Sequence, residues 1–422
     1  MRPRVRSACL LVVLATSSVA RAELVTLDDA LSRLRRDNLA LVAARYELDA
    51  MRADVIAAGV LPNPTLLLDS HVWTHGLPTS GQQDVSVGLE QPLPLAGQVG
   101  FRRRAAQRWA SAAEHDFAAT AWTLDADLRE AYLRLQLAQS RRQVLAAGVA
   151  DLGRVEAVIR QRSAAGANPA YDTLRVAVER ASVGARLSDA DADLIAARFL
   201  LAQAIGKNVD APSLTVTPLG DPPELAPEVD PTLTSATILK SAAQRPESLA
   251  AHLRLDGSTL HIRALQRAFL PVPTLGIGYT HWFHVDELPG ARDGGALLLS
   301  LALPLPVFDH GQGVIGRAEA EARGAAIRAD AVDLGLRRDA ERALGTFALR
   351  AAAWRSYRDS TLGNIERLRQ IAELSYKEGR ASILELLDAY RSHLDSEERA
   401  LELRGSALRA AQDLQRAAGP RL

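Results

Sequence analysis

The stretch from Val99 to Ala165 contains no proline, and its apolar residues return at steps of three and four, among them Leu145, Val149, Leu152 and Ile159. That spacing predicts one helix of 67 residues. At ~1.5 Å of rise per residue it is roughly 100 Å long. A rod of that length cannot fold back into a compact globule; it has to lie against other helices along its course. Gly166 and Asn168-Pro169 end it, with Asn168 suited to cap the next helix and Pro169 to its first position. That next helix is expected over 169–206. Aromatic residues make up only 5% of the chain, which favours helix over an all-β globule.

The plan recurs. Leu61-Pro62-Asn63-Pro64-Thr65-Leu66 returns as Leu270-Pro271-Val272-Pro273-Thr274-Leu275, 209 residues on. Pro92-Leu93-Pro94 returns as Pro304-Leu305-Pro306, and Gly166 with Asp172 and Leu174 returns as Gly379 with Glu385 and Leu387. Three matches in one order at nearly one spacing indicate a tandem duplication. The first repeat is read as 23–207: a helical region capped by Thr26 and running to Gly59, strands 65–73 and 83–91, the long helix 99–165 and the helix 169–206. Pro212, Pro218, Pro222, Pro223, Pro227 and Pro231 mark 208–231 as an extended linker. The second repeat, 232–422, holds helical residues to 269 interrupted near Pro246, strands 274–283 and 294–303, a long helix 312–378 and a helix 382–418. In the last helix Ile383, Leu387, Tyr390 and Leu394 form a heptad-like stripe.

Residues 1–22 read as a secretory signal peptide: Arg2, Arg4 and Arg6 precede the apolar run Ala8 to Val13, and Ala20-Arg21-Ala22 has the form of a cleavage site. Removing it leaves 46 basic and 50 acidic residues, and takes Cys9, the single cysteine, with it. Disulfides, thiolate catalysis and cysteine-ligated zinc are then excluded. A net charge of −4 without a basic tract leaves no footprint for nucleic acid. Beyond the signal no run of 18 apolar residues occurs, so a passage through lipid has to be made by strands.

The strands have the right pattern. Val85, Val87 and Leu89 alternate with Asp84, Ser86, Gly88 and Glu90; Leu275, Ile277 and Tyr279 alternate with small or polar residues; so do Leu297, Leu299, Leu301 and Leu303, apart from Leu298. Each strand approaches the ~9–11 residues that cross a bilayer when tilted. Trp73, Tyr279, Trp282 and Phe283 fall near strand ends, where an interfacial aromatic girdle lies. A half-buried soluble hairpin has the same alternation. Four strands cannot close a barrel, and open edges are not tolerated in lipid, so a transmembrane reading requires several copies to pool their strands.

At this point the chain resembles the TolC family of outer-membrane efflux proteins, over essentially the whole mature length. The segment Leu303-Pro304-Leu305-Pro306-Val307-Phe308-Asp309-His310-Gly311-Gln312-Gly313 is most similar to the CzcC-like branch that serves heavy-metal efflux. The resemblance implies a mainly α protein with a small β part. Long-helix hairpins would form a periplasmic α-barrel, and four strands per chain would pool into a 12-stranded β-barrel in a homotrimer. It implies an outer-membrane location extending into the periplasm, a periplasmic adaptor and an inner-membrane pump of the resistance-nodulation-division class as partners, no cofactor and no catalysis.

The resemblance also implies roles for the helix turns. Glu385 and Asp388 occupy the positions that line the closed periplasmic end, where threefold symmetry would gather six carboxylates into a cation-favouring ring. Ser382-Ile383-Leu384-Glu385 is equally a capping box, in which Glu385 only caps the helix. Asp172 and Tyr376 fall on the latch positions; the latch arginine falls on Ala381, with Arg380 one residue early. Gly166, Asn168 and Gly379 would be the tips that meet the adaptor. His71, His75, His281 and His284 lie in or beside the hairpins and are weak metal-ligand candidates. No Gly-x-Ser-x-Gly, phosphate-binding Gly-rich loop or His-Glu-x-x-His occurs. The alternatives left open are a TolC-like duct for drug efflux or type I protein secretion, and a soluble periplasmic coiled-coil scaffold.

Overall fold

The computed structural model describes residues 23–72, 83–164, 170–207, 209–219, 240, 244–283 and 294–419. The signal peptide, most of the Pro-rich linker, Trp73, His75, Gly166, Asn168 and His284 lie outside the described residues. Two compact units result, and each draws on both halves of the sequence.

The first unit comprises residues up to Asp37, Asp127–Pro223 and Ser356–Gly405. It opens with β1 (Glu23–Val25) and α1 (Leu27–Asp37), capped by Thr26, whose Oγ1 accepts from the Asp29 N–H. The part of α3 (Gln98–Ala164) from Asp127 onward and all of α4 (Ala170–Ile205) follow. A short 3₁₀ turn leads to β4 (Leu214–Val216), which pairs in parallel with β1. The three-residue sheet is tied to α3: the Tyr132 hydroxyl lies 3.1 Å from the Val25 carbonyl and 2.7 Å from Thr217 Oγ1, and Gln136 donates to the Thr217 carbonyl.

The second unit holds α2 (Leu39–Gly59), β2 (Thr65–Val72), β3 (Gln83–Pro92), the start of α3, α5 (Pro246–Ala268), β5 (Thr274–Phe283), β6 (Gly294–Ala302) and most of α6 (Gln312–Tyr357). Its strands form one antiparallel sheet in the order β2-β3-β5-β6. Arg102 fastens α3 to the end of α2 by donating to the Ala58 and Val60 carbonyls. Gly257 on α5 lies under the Trp109 indole; a Cβ there would stand 2.5 Å from the ring.

Two expected helices are broken. The region from Thr26 to Gly59 stops at Asn38, which starts α2 by accepting the Ala40 and Leu41 N–H groups on its own side-chain oxygen. The long helix of the second half ends at Tyr357, passes through a π-helical turn at Arg358–Leu362 and resumes as α7 (Gly363–Lys377). There Ser360 donates to the Ser356 carbonyl and Asn364 to the Ser360 carbonyl. Such side-chain bonds compete with the helical ladder and widen it locally. The final helix, α8, runs Ile383–Ala418.

The core of the first unit lies among α3, α4, α7 and α8. Leu145, Leu152, Val155 and Ile159 meet Val176, Val183, Tyr376, Ile383, Leu386, Leu387, Tyr390 and Leu394. These are the periodic residues of α3 and the stripe of α8, so the helical spacing in the sequence is the packing face in the structure. Charges lace the same helices from outside: Arg141 reaches Asp193 at 2.8 Å and Glu398 at 3.0 Å, and Arg186 pairs with Asp395 at 3.0 Å and with Glu398.

Candidate functional site

Two places carry chemistry beyond packing: the turn between α7 and α8, and the faces of the sheet.

The turn begins where α7 ends at Lys377. Gly379 takes φ +74°, the left-handed region that glycine enters without steric penalty. The Arg380 N–H returns to the Ser375 carbonyl at 2.8 Å and the Gly379 N–H to the Tyr376 carbonyl at 3.0 Å, the paired bonds of a Schellman cap. Ser382 then opens α8 with a full capping box. Its N–H donates to Glu385 Oε2 at 2.7 Å, and the Glu385 N–H donates to Ser382 Oγ at 3.3 Å. Glu385 and Asp388 are both exposed on the first turns of α8. The Arg391 guanidinium two turns into the helix bonds Glu179, which raises its pKa, with Asp388 adding to the same effect.

Of the latch residues, Tyr376 and Asp172 come together: the buried phenol points its hydroxyl at Asp172 Oδ2 from 3.5 Å, a long contact. Arg380 forms an ion pair with Glu378. Gly166 and Asn168 fall outside the described residues.

The register of the sheet sorts its side chains into two faces. On one lie the rows Leu66–Leu89–Ile277–Leu299 and Leu68–Val87–Tyr279–Leu297, all exposed in the single chain. On the other lie Thr65–Glu90–Gly276–Ser300 and Asp69–Ser86–Thr280–Ala296. Leu298 is on this second face, in a row with Leu67, Gly88 and Gly278. Tyr279 sits mid-strand; its ring covers Gly295, where any Cβ would meet the phenol oxygen at 2.0 Å. Of the expected aromatic girdle, Trp282 and Phe283 are at a strand end. Among the described residues neither outer strand, β2 or β6, has a second neighbour, so the sheet there has two free edges.

Of the four candidate histidines, the two described ones, His71 and His281, do not converge. His71 is on the polar face, 3.3 Å from Asp84 Oδ2, whereas His281 is on the apolar face between Tyr279 and Phe283. Among the described residues no group of three or more His, Cys, Asp or Glu side chains is arranged to hold a metal ion. Ser248 and His252 do gather at Asp333, at 2.6 and 2.9 Å. The carboxylate is the shared acceptor, and burial, which would raise its pKa, is outweighed by these two bonds, so it is lowered. The arrangement joins α5 to α6; it is not a relay from histidine to a serine nucleophile.

Residues 30–207 and 238–420 match the family described as outer membrane efflux protein. The chain belongs to this family. The cobalt-zinc-cadmium resistance protein CzcC of Cupriavidus metallidurans is 26% identical over 409 residues, covering 94% of this chain and 90% of that protein. Solved channels share the fold. The outer-membrane channel OprN superposes with a TM-score of 0.75 at 22% identity, covering 93% of this chain and 89% of that one. CusC does so with a TM-score of 0.74 at 18% identity, covering 93% and 92%. This chain is thus an outer-membrane efflux protein with the fold of solved outer-membrane channels, as its sequence pattern led us to expect. No helix among the described residues is long and apolar enough to cross a membrane.

One cluster in this efflux protein escaped sequence reasoning. His393 on α8 stands 3.6 Å from both Glu366 and Glu397. The signal was present as His393-x-x-x-Glu397, an i,i+4 pair on one helix face. What placed Glu366 opposite it was the fold.

Proposed function

We propose that the chain is the exit duct of a tripartite efflux system for heavy-metal cations. It would conduct passively, without catalysis, from an inner-membrane resistance-nodulation-division pump and a periplasmic adaptor to the exterior. The observation that carries this is the four-stranded sheet, one face of which exposes continuous rows of apolar side chains and whose described strands leave two free edges. An exposed apolar surface of that extent needs cover, and lipid does not tolerate unpaired edges. Three copies supplying four strands each would close a 12-stranded barrel with the apolar rows toward lipid and Glu90, Ser300, Ser86 and Thr280 toward water. The metal substrate rests on the likeness to the resistance protein from Cupriavidus metallidurans.

In this reading the tandem halves are two copies of one hairpin plan. Glu385 and Asp388 ring the periplasmic constriction, the Tyr376–Asp172 contact latches it, and the turns at Gly166, Asn168 and Gly379 meet the adaptor. Deleting the gene should lower tolerance to at least one divalent metal, and the protein should fractionate with the outer membrane as a heat-modifiable trimer. Unchanged growth on every metal tested would reject the metal substrate. Recovery as a monomer from the soluble periplasm would reject the channel itself.

A further inference from the structure

We propose that His393 is a proton-operated staple between α7 and α8, drawing together the two helices that flank the Tyr376–Glu385 turn when it takes up a proton.

The geometry is that of a half-made contact. His393 is mostly shielded, with 18% of its side chain exposed, and lies between carboxylates from two helices. Its Nδ1 is 3.6 Å from Glu366 Oε2 on α7, and its Nε2 is 3.6 Å from Glu397 Oε1 on its own helix. Both separations exceed hydrogen-bond length, and Nδ1 is buried without a partner. A neutral imidazole has one N–H and cannot serve two carboxylates; an imidazolium donates from both nitrogens. Protonation therefore turns two idle contacts into two charge-assisted bonds, one of which crosses between helices.

Every element packed around the ring contributes to the balance. From α7, Arg369 bonds Glu366 at 2.7 Å and also reaches Glu373, which Lys377 holds at 2.8 Å. From α8, Tyr390 and Arg391 share with His393 and Glu397 a cavity of about 180 Å³. Asp151 from α3 and Glu179 from α4 line the same cavity; Asp151 is paired with Arg154 and Glu179 with Arg391. The cavity leaves room for the ring to move the few tenths of an ångström that a bond requires.

The signs agree. The bond from Arg369 holds Glu366 at about 2, so it remains an anion at any pH at which a histidine charges. Burial pushes Glu397 up, with Glu366 and Asp151 adding to it and the His393 charge opposing. A raised carboxylate favours the folded state at low pH and loses that contribution as pH rises. A protonated His393 then meets an ionised Glu366, and the staple is closed.

The test is hydrogen–deuterium exchange on the full-length protein in detergent, with rates normalised for the intrinsic effect of pH. From about pH 7.5 to about pH 5.5, across histidine titration, amides of 363–377 and 383–400 should gain roughly tenfold protection, while those of 312–350 stay level. His393→Gln should abolish the gain, and His393→Lys should hold protection high at both pH values. Glu397→Gln, which leaves the cross-helix partner in place, should keep a reduced gain. A wild-type protein with no gain, or a His393→Gln protein that keeps it, overturns the proposal. None of these outcomes depends on whether the protein conducts ions.

Discussion

Glu385 does two things at once: it closes the capping box of α8, and it is one of two exposed acids on that helix's first turns. The roles separate by substitution. Glu385→Gln keeps a side chain able to accept from the Ser382 N–H and removes the charge; Glu385→Ala removes both. Glu385→Gln should leave thermal stability within ~0.5 kcal/mol of wild type and lower cation preference in planar-bilayer recording. Glu385→Ala should add a loss of about 0.5–2 kcal/mol. If the Gln variant shows wild-type reversal potentials, the residue is a cap and nothing more. Tyr376→Phe deletes a hydroxyl whose contact with Asp172 spans 3.5 Å, so its stability should change by less than ~1 kcal/mol. A raised single-channel conductance from that same variant would mark the hydroxyl as a latch.

Among the elements, the first-unit bundle is held by apolar seams with ion pairs laid over them. Leu145 is fully buried in the seam joining α3, α4 and α8, and Leu145→Ala should cost about 2–5 kcal/mol, read as a fall in the melting temperature of the solubilised protein. The α7 charges set the acid limit. Glu366, held from 4.5 down to about 2 chiefly by Arg369, contributes stability that is complete above its unfolded value and disappears as pH falls through about 2. Because its side chain is 38% exposed, solvent screening reduces that contribution to roughly 1–2 kcal/mol. Melting temperature should therefore decline below about pH 4.5 in the wild type and less steeply in Glu366→Gln. Helix and strand can be read from residue spacing, because a period of 3.6 or 2 is written locally. Their interruptions cannot be read that way. Asn38 and the Ser360–Asn364 turn depend on which backbone group a short polar side chain selects, and periodicity is blind to that choice. The β1–β4 pair was invisible for a different reason: three residues show no alternation, and their partners are some 190 positions away.

For the whole molecule, the two faces of the sheet make opposite predictions. Leu299 and Ser300 are neighbours in β6 on opposite faces. Leu299→Arg places a charge on the apolar face and should destabilise the membrane-inserted form by about 2–4 kcal/mol, reducing trimers in the outer-membrane fraction. Ser300→Arg should assemble normally and alter conductance instead. Equal tolerance of both would mean that the apolar face is not against lipid.

The amino-acid sequence alone determined where rods and ribbons form, how long they are and which side of each is apolar, since these follow from residue spacing along a chain segment. It also carried the family, through motifs that repeat some 210 residues apart. Tertiary structure decided the rest. It put Tyr376 beside Asp172 and paired Arg380 with Glu378 instead, placed His71 and His281 on opposite faces, and set Glu366 against His393. Most of these depend on strand register or on how one helix is rotated against another, and neither quantity is encoded in any single segment.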